Sequence, residues 1–253
     1  MRRILFIFIF TGLAWSINAQ NVINPVRQLI KATYENKMFS HRLLMDYILI
    51  KNNIYQTKVM SDIDNTLARY DENLLYIAQF SQKDNDIHKK MVGLQLFWNE
   101  YRMLFIDFEH ANLNDLIKRT HVFYRYNNEL ADLIIKNRHL NDKYPKQLNV
   151  LDILADLNNQ INQLLINYFL KDIARKPIYK VKIKDIRKNI QKLQKTSVGK
   201  QNLGVIEDLY NTLSIIETLY ATENNSKQMY SNMKYFIKKN FILMKKVLMS
   251  INE

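Results

Sequence analysis

One short stretch gathers the residues best suited to chemistry. ENKMFSHRLL, at 35–44, sets Lys37, Ser40, His41 and Arg42 within two turns of one helix. On a helical wheel Val26, Ile30, Thr33, Lys37, Ser40, Leu44 and Tyr47 share a broad face, apolar at both ends and polar in the middle. Lys37 and His41 stand one turn apart, so both side chains can reach one point, with Arg42 on the adjoining face. A buried charge is costly unless it is paired. A small anion held between helices would supply that pairing, with Lys as a point charge and Arg as a planar fork. A second candidate contact is Arg125, in THVFYRYNNE on a helix that would partner the first. The competing reading is a plain helical scaffold, in which Lys37 and Arg42 pair with Glu35, Asp46 or carboxylates of neighbouring helices and the aromatics around Arg125 are core.

Other chemistries lack their residues. A di-metal site in a helical bundle needs carboxylates on several helices and paired Glu-x-x-His motifs. Only Asp107-x-x-His110 comes near, and the five His lack metal-ligand spacing. With four Gly in the chain there is no phosphate-cradling loop, and no serine elbow or paired catalytic carboxylates stand out. The expectation is a protein that is not an enzyme, with no cofactor and no metal.

These residues must be positioned by helices. Past residue 20 only three Gly and three Pro occur, too few for the turns of a sheet. Apolar residues recur at three- and four-residue steps, as in Leu67, Tyr70, Leu74 and Ile77. Eight helices are expected: about 25–51, 57–81, from after Asp84-Asn85-Asp86 to 107, 112–142, 148–174, 180–195, 201–221 and 225–251. Pro25 suits a first turn, Asp84-Asn85-Asp86 a cap, and Pro145 and Pro177 punctuate the chain. The expected fold is all-α: two up-down four-helix bundles in series, 21–144 and a more basic 145–253, with Pro145 at the seam. LLMDYIL at 43–49 resembles LLINYFL at 164–170, 121 residues later, which suggests a divergent repeat.

Residues 1–20 read as a secretory signal peptide: Arg2-Arg3, the apolar run ILFIFIFTGLAW, and small or polar residues up to Ala19. The run is short for a membrane span, and no Cys follows to carry a lipid. A periplasmic or secreted location is expected. The second half is strongly basic, with 18 Lys+Arg against 9 Asp+Glu, and ten of those bases crowd into 171–195. Such an excess favours an anionic envelope component over nucleic acid for an exported chain, unless it is simply a solvated helix face.

KMFSHRLL is similar to the Arg-Met-x-Ser-x-Arg signature of PilJ/NarX-type periplasmic sensor domains, the four-helix input bundles of type IV pilus chemoreceptors and nitrate/nitrite sensor kinases. Met38, Ser40, Arg42, Leu43 and Leu44 match, and Lys37 stands in place of the first Arg. Trp98 in LFWNEY and YNNELADLI at 126–134 fit the third and fourth helices, so the likeness covers about residues 22–140. It implies a small anion at Lys37 and Arg42, pairing in a homodimer through the first helix, and output through a membrane-bound signalling partner. Thr33-Tyr34-Glu35 replaces the small residues that precede the signature in nitrate sensors. The reading reached is an exported, non-catalytic ligand-binding or sensory module. The alternative is a structural envelope-interaction protein that uses its basic helical surface.

Overall fold

The structure, a computed structural model, describes residues 24–171, 177–222 and 225–251. The expected signal peptide, 1–20, lies outside the described residues, as do 172–176 of the basic stretch. The fold is all-α. Among the described residues there are ten helices: α1 (Pro25–Lys51), α2 (Gln56–Ser81), α3 (Asn85–Ile106), α4 (Leu113–Asn137), α5 (Leu140–Lys143), α6 (Pro145–Leu170), α7 (Ile183–Lys195), α8 (Ser197–Gln201), α9 (Leu203–Thr222) and α10 (Ser226–Met249). None is long and apolar enough to cross a membrane.

Local chemistry sets the ends. Asn24, Asp84, Asn112 and Asn225 each accept a backbone N–H of the first turn, at α1, α3, α4 and α10 respectively. Pro25 and Pro145 occupy first turns, where their missing N–H is not needed. The fourth helix, expected to run to about 142, instead breaks after Asn137. His139 there adopts φ 50°, a left-handed turn, and α5 restarts the chain. The sixth and seventh expected helices are separated by α8, whose Thr196 cap accepts from Gly199 N. Gly199 is needed for space, since a Cβ would lie 2.0 Å from the Leu193 carbonyl oxygen. Gly199→Ala should therefore cost about 1–3 kcal/mol, read as a lower urea midpoint at unchanged slope.

α1 and α6 form the centre. Between Leu29 and Ile50 every residue of α1 is buried except Lys31, Lys37 and Arg42. A helix covered on all sides sits in a core. α1 packs on α2, α4 and α6, and α6 packs on α1, α7 and α10, while α3 closes on α2 and α4 and α9 on α7 and α10. Both sets contribute to one continuous apolar core. An aromatic group of Tyr70, Trp98, Tyr101 and Phe123 fills the first set. Trp98 stacks on Phe123 at 5.2 Å, and its indole N–H donates to Asp71 at 2.7 Å.

The two central helices run parallel, and their pairing is reciprocal. Asn158 donates to the Met38 sulfur, and Asn159 donates to the Lys37 carbonyl. Under the 121-residue offset Lys37 corresponds to Asn158 and Met38 to Asn159, so each contact is the two-fold image of the other. An isologous pairing of this kind is what a two-fold axis produces. The outer helices follow. Aligning α4 and α10 on their caps, Asn112 and Asn225, brings the buried Asn127 onto the buried Asn240. These residue correspondences are those of a pseudo-two-fold between the halves.

Candidate functional site

The sequence-selected residues do not meet at one point. Lys37 turns to α6 and pairs with Asp152 at 3.0 Å, its ammonium also lying over the Tyr34 ring. Ser40 is fully buried and accepts a long 3.5 Å contact from Asn127. His41, 1 % exposed, hydrogen-bonds through Nδ1 with Asn159 and through Nε2 with Gln163. Burial lowers its pKa to about 4, so it is neutral at neutral pH and offers no charge to an anion. Arg125 is two-thirds exposed and faces Glu129 at 3.7 Å on its own helix. Arg42 opens onto a cavity.

That cavity is about 660 Å³, within the range of small-molecule sites, and lies between α1, α2, α6 and α10. Its polar end holds Arg42 and Asp46 from α1, Asp62 from α2, Asn162 from α6, and Tyr230 and Lys234 from α10. Met45, Leu165, Met233, Ile237 and Phe241 supply apolar wall, and Tyr55, Lys58 and Lys238 stand at the exposed rim. Lys234 reaches across to Asp62 and so bridges two walls, while the Tyr55 and Tyr230 rings meet at 5.6 Å. Four cations against two carboxylates give the cavity a positive balance. A second space of about 400 Å³ lies further along α1 and α10, beside Arg27, Lys31, Arg69 and Lys245, and shares Phe241.

Two residues that line the larger cavity each carry a buried polar atom without a hydrogen bond. One is Asp46 Oδ2, which lies 3.6 Å from Arg42 Nε, beyond hydrogen-bond length. The other is Asn162 Oδ1; the amide nitrogen of that side chain is used on Asn158. Asp46 is 5 % exposed, and burial raises its carboxyl to about 7 against the opposing pull of Arg42. Unsatisfied buried polar groups are costly, and two such groups on the walls of one cavity make it the candidate place for a ligand.

Sequence reasoning found Arg42 and named Asp46 only as a structural partner. It missed Asp62, Asn162, Tyr230 and Lys234, which come from three helices far apart in the chain. One signal was present. Between LLMDYIL and LLINYFL the one charged difference is Asp46 against Asn167. Comparison with known proteins returns no match to a family model, a curated protein or a solved structure, so function is read from this geometry.

Proposed function

We propose that the protein is an exported, non-catalytic helical module that binds a small organic anion in the cavity between α1, α2, α6 and α10 and acts through a partner protein. The observation that carries this reading is Arg42, a half-buried guanidinium on the wall of a cavity of net positive charge, whose Nε lies 3.6 Å from Asp46 Oδ2. Arg42 offers the planar fork that suits a carboxylate, and the apolar wall suits a hydrophobic body. The likeness of residues 22–140 to PilJ/NarX-type sensor domains agrees with an input role, and the apolar leader with a periplasmic or secreted location. In this reading the anion sits at Arg42 rather than at Lys37, which Asp152 already neutralises.

A thermal-shift panel tests it. The probes are nitrate, nitrite, benzoate, 3-phenylpropionate and the common α-amino acids, each against matched chloride. A ligand at 100 times its dissociation constant adds about 2.7 kcal/mol of stability. The expected result is a rise for at least one organic acid or amino acid, lost in Arg42→Ala and in Ser231→Trp, which fills the cavity from its exposed side. A rise that survives both variants, or none at all, would refute the site. The alternative envelope-interaction role would then gain support if charge reversal within 180–195 abolished binding to anionic vesicles.

A further inference from the structure

The pseudo-two-fold gives the cavity an internal comparison: the equivalent place in the other half is occupied. Its occupant is Tyr179, 6 % exposed, from the connection between α6 and α7. Asn167 Oδ1 accepts the Tyr179 backbone N–H at 3.0 Å, and Asn167 Nδ2 donates to the Tyr179 carbonyl at 2.7 Å. The ring packs against His41 at 5.2 Å and His121 at 5.1 Å. Under the repeat, Asn167 corresponds to Asp46, His41 to Asn162 and His121 to Lys234. All three counterparts line the cavity. Gln163, beside His41, corresponds to Arg42, which lines it too.

Connector length explains the difference. Between α1 and α2 the chain has four residues, Asn52 to Tyr55, and it turns tightly with Asn53 and Tyr55 at positive φ. Between α6 and α7 it has twelve, enough to fold a residue back inside. One half is therefore plugged by its own chain and the other is open.

The exchange of residues specifies the chemistry of a free occupant. Asn167 is neutral and meets a neutral pair, an amide N–H and a carbonyl. At the open site that amide is replaced by a carboxylate, and Gln163 by a guanidinium. An acceptor with negative charge and a fork of donors with positive charge suit the charged forms of the same two groups, an ammonium and a carboxylate. The two stand side by side on one wall of the cavity, Arg42 Nε lying 3.6 Å from Asp46 Oδ2.

Building on the ligand-binding reading above, we infer that the cavity takes a free α-amino acid with an aromatic side chain, seated as Tyr179 is seated in the other half. The ammonium lies against Asp46 and Asn162, two lining residues whose side-chain oxygens lack a donor. The carboxylate lies on Arg42, with Lys234 close by, and the ring lies along Met45, Leu165 and Met233.

Calorimetric titration of the purified protein at pH 8 tests the inference with L-phenylalanine and three fragments of it. 3-Phenylpropionate lacks the ammonium, 2-phenylethylamine lacks the carboxylate, and glycine lacks the ring. The expected result is saturable binding of L-phenylalanine, with each fragment at least tenfold weaker. Asp46→Asn should weaken L-phenylalanine at least tenfold and leave 3-phenylpropionate within about twofold, which a merely misfolded variant would not do. If 3-phenylpropionate binds as tightly as L-phenylalanine, the cavity is an organic-acid site and the amino-acid inference is overturned alone. If neither L-phenylalanine nor any fragment binds, the amino-acid inference is overturned, and the organic-anion reading then stands or falls with the wider panel.

Discussion

Tyr179→Ala is expected to lower stability by about 3–5 kcal/mol, the range for deleting a buried aromatic ring. The ring sits between His41 and His121 and closes the space between α1, α4 and α6. Removing it leaves a void lined by His41, Gln163 and Asn167, and the neighbouring helices are held by their own core contacts, so collapse is incomplete. Tyr179→Phe is the control. The Tyr179 hydroxyl is buried with no hydrogen-bond partner, so deleting it should be neutral or slightly stabilising. Urea unfolding measures both. A loss under about 1 kcal/mol for Tyr179→Ala would show that the ring is not a plug.

Asp46 should make stability fall as pH rises. Burial raises its carboxyl in the folded state to about 7, whereas an unfolded Asp titrates near 3.9. Between these values the folded protein binds the proton and the unfolded chain does not. Stability contributed by the protonated form is therefore complete below pH ~4 and lost by pH ~7, with a ceiling on the order of 4 kcal/mol at 1.36 kcal/mol per unit. The groups that face Asp46 are Arg42 on its own helix, Asp62 on α2, and Lys234 and Tyr230 on α10; α6 presents only the neutral Asn162. His41 works in the opposite sense. Its lowered pKa makes stability rise with pH between about 4 and 6.5. The comparison that isolates Asp46 is thus wild type against Asp46→Asn, by urea unfolding at pH 5, 6, 7 and 8. The variant should gain on the wild type steadily up to pH ~7 and then hold its lead. A constant difference across that range would mean that Asp46 is not a buried, protonated acid.

The all-α class was legible because α-helices leave periodic traces. Three- and four-residue apolar steps, Asn and Asp caps and first-turn prolines place the eight long helices within a few residues. The break at His139 was not legible, because a left-handed turn at a residue other than Gly or Asn has no composition signal. Within the candidate site, Arg42 could be found because it sits in a polar interruption of an otherwise apolar helix. Lys37 and His41 stood out for the same reason, yet the first is neutralised by Asp152 and the second by burial. The first effect comes from α6, more than a hundred residues away, and the second from α6 together with Tyr124 and Tyr179. Lys234, Asp62 and Asn162 carry no local mark at all. They become a site only when α10 and α2 are brought over α1, which no short window of sequence contains.

A protein built of two identical subunits cannot change one copy of a site without changing the other. Here one chain supplies both halves, so the constraint is lifted. The first half keeps a short connector and an open space, with acid and guanidinium at Asp46 and Arg42. The second carries amides at the same places, Asn167 and Gln163, and a long connector that stops the space with Tyr179. Covalent linkage also lets the two places differ within one chain. On the proposed reading a ligand enters the open place alone, so occupancy follows one binding event per chain.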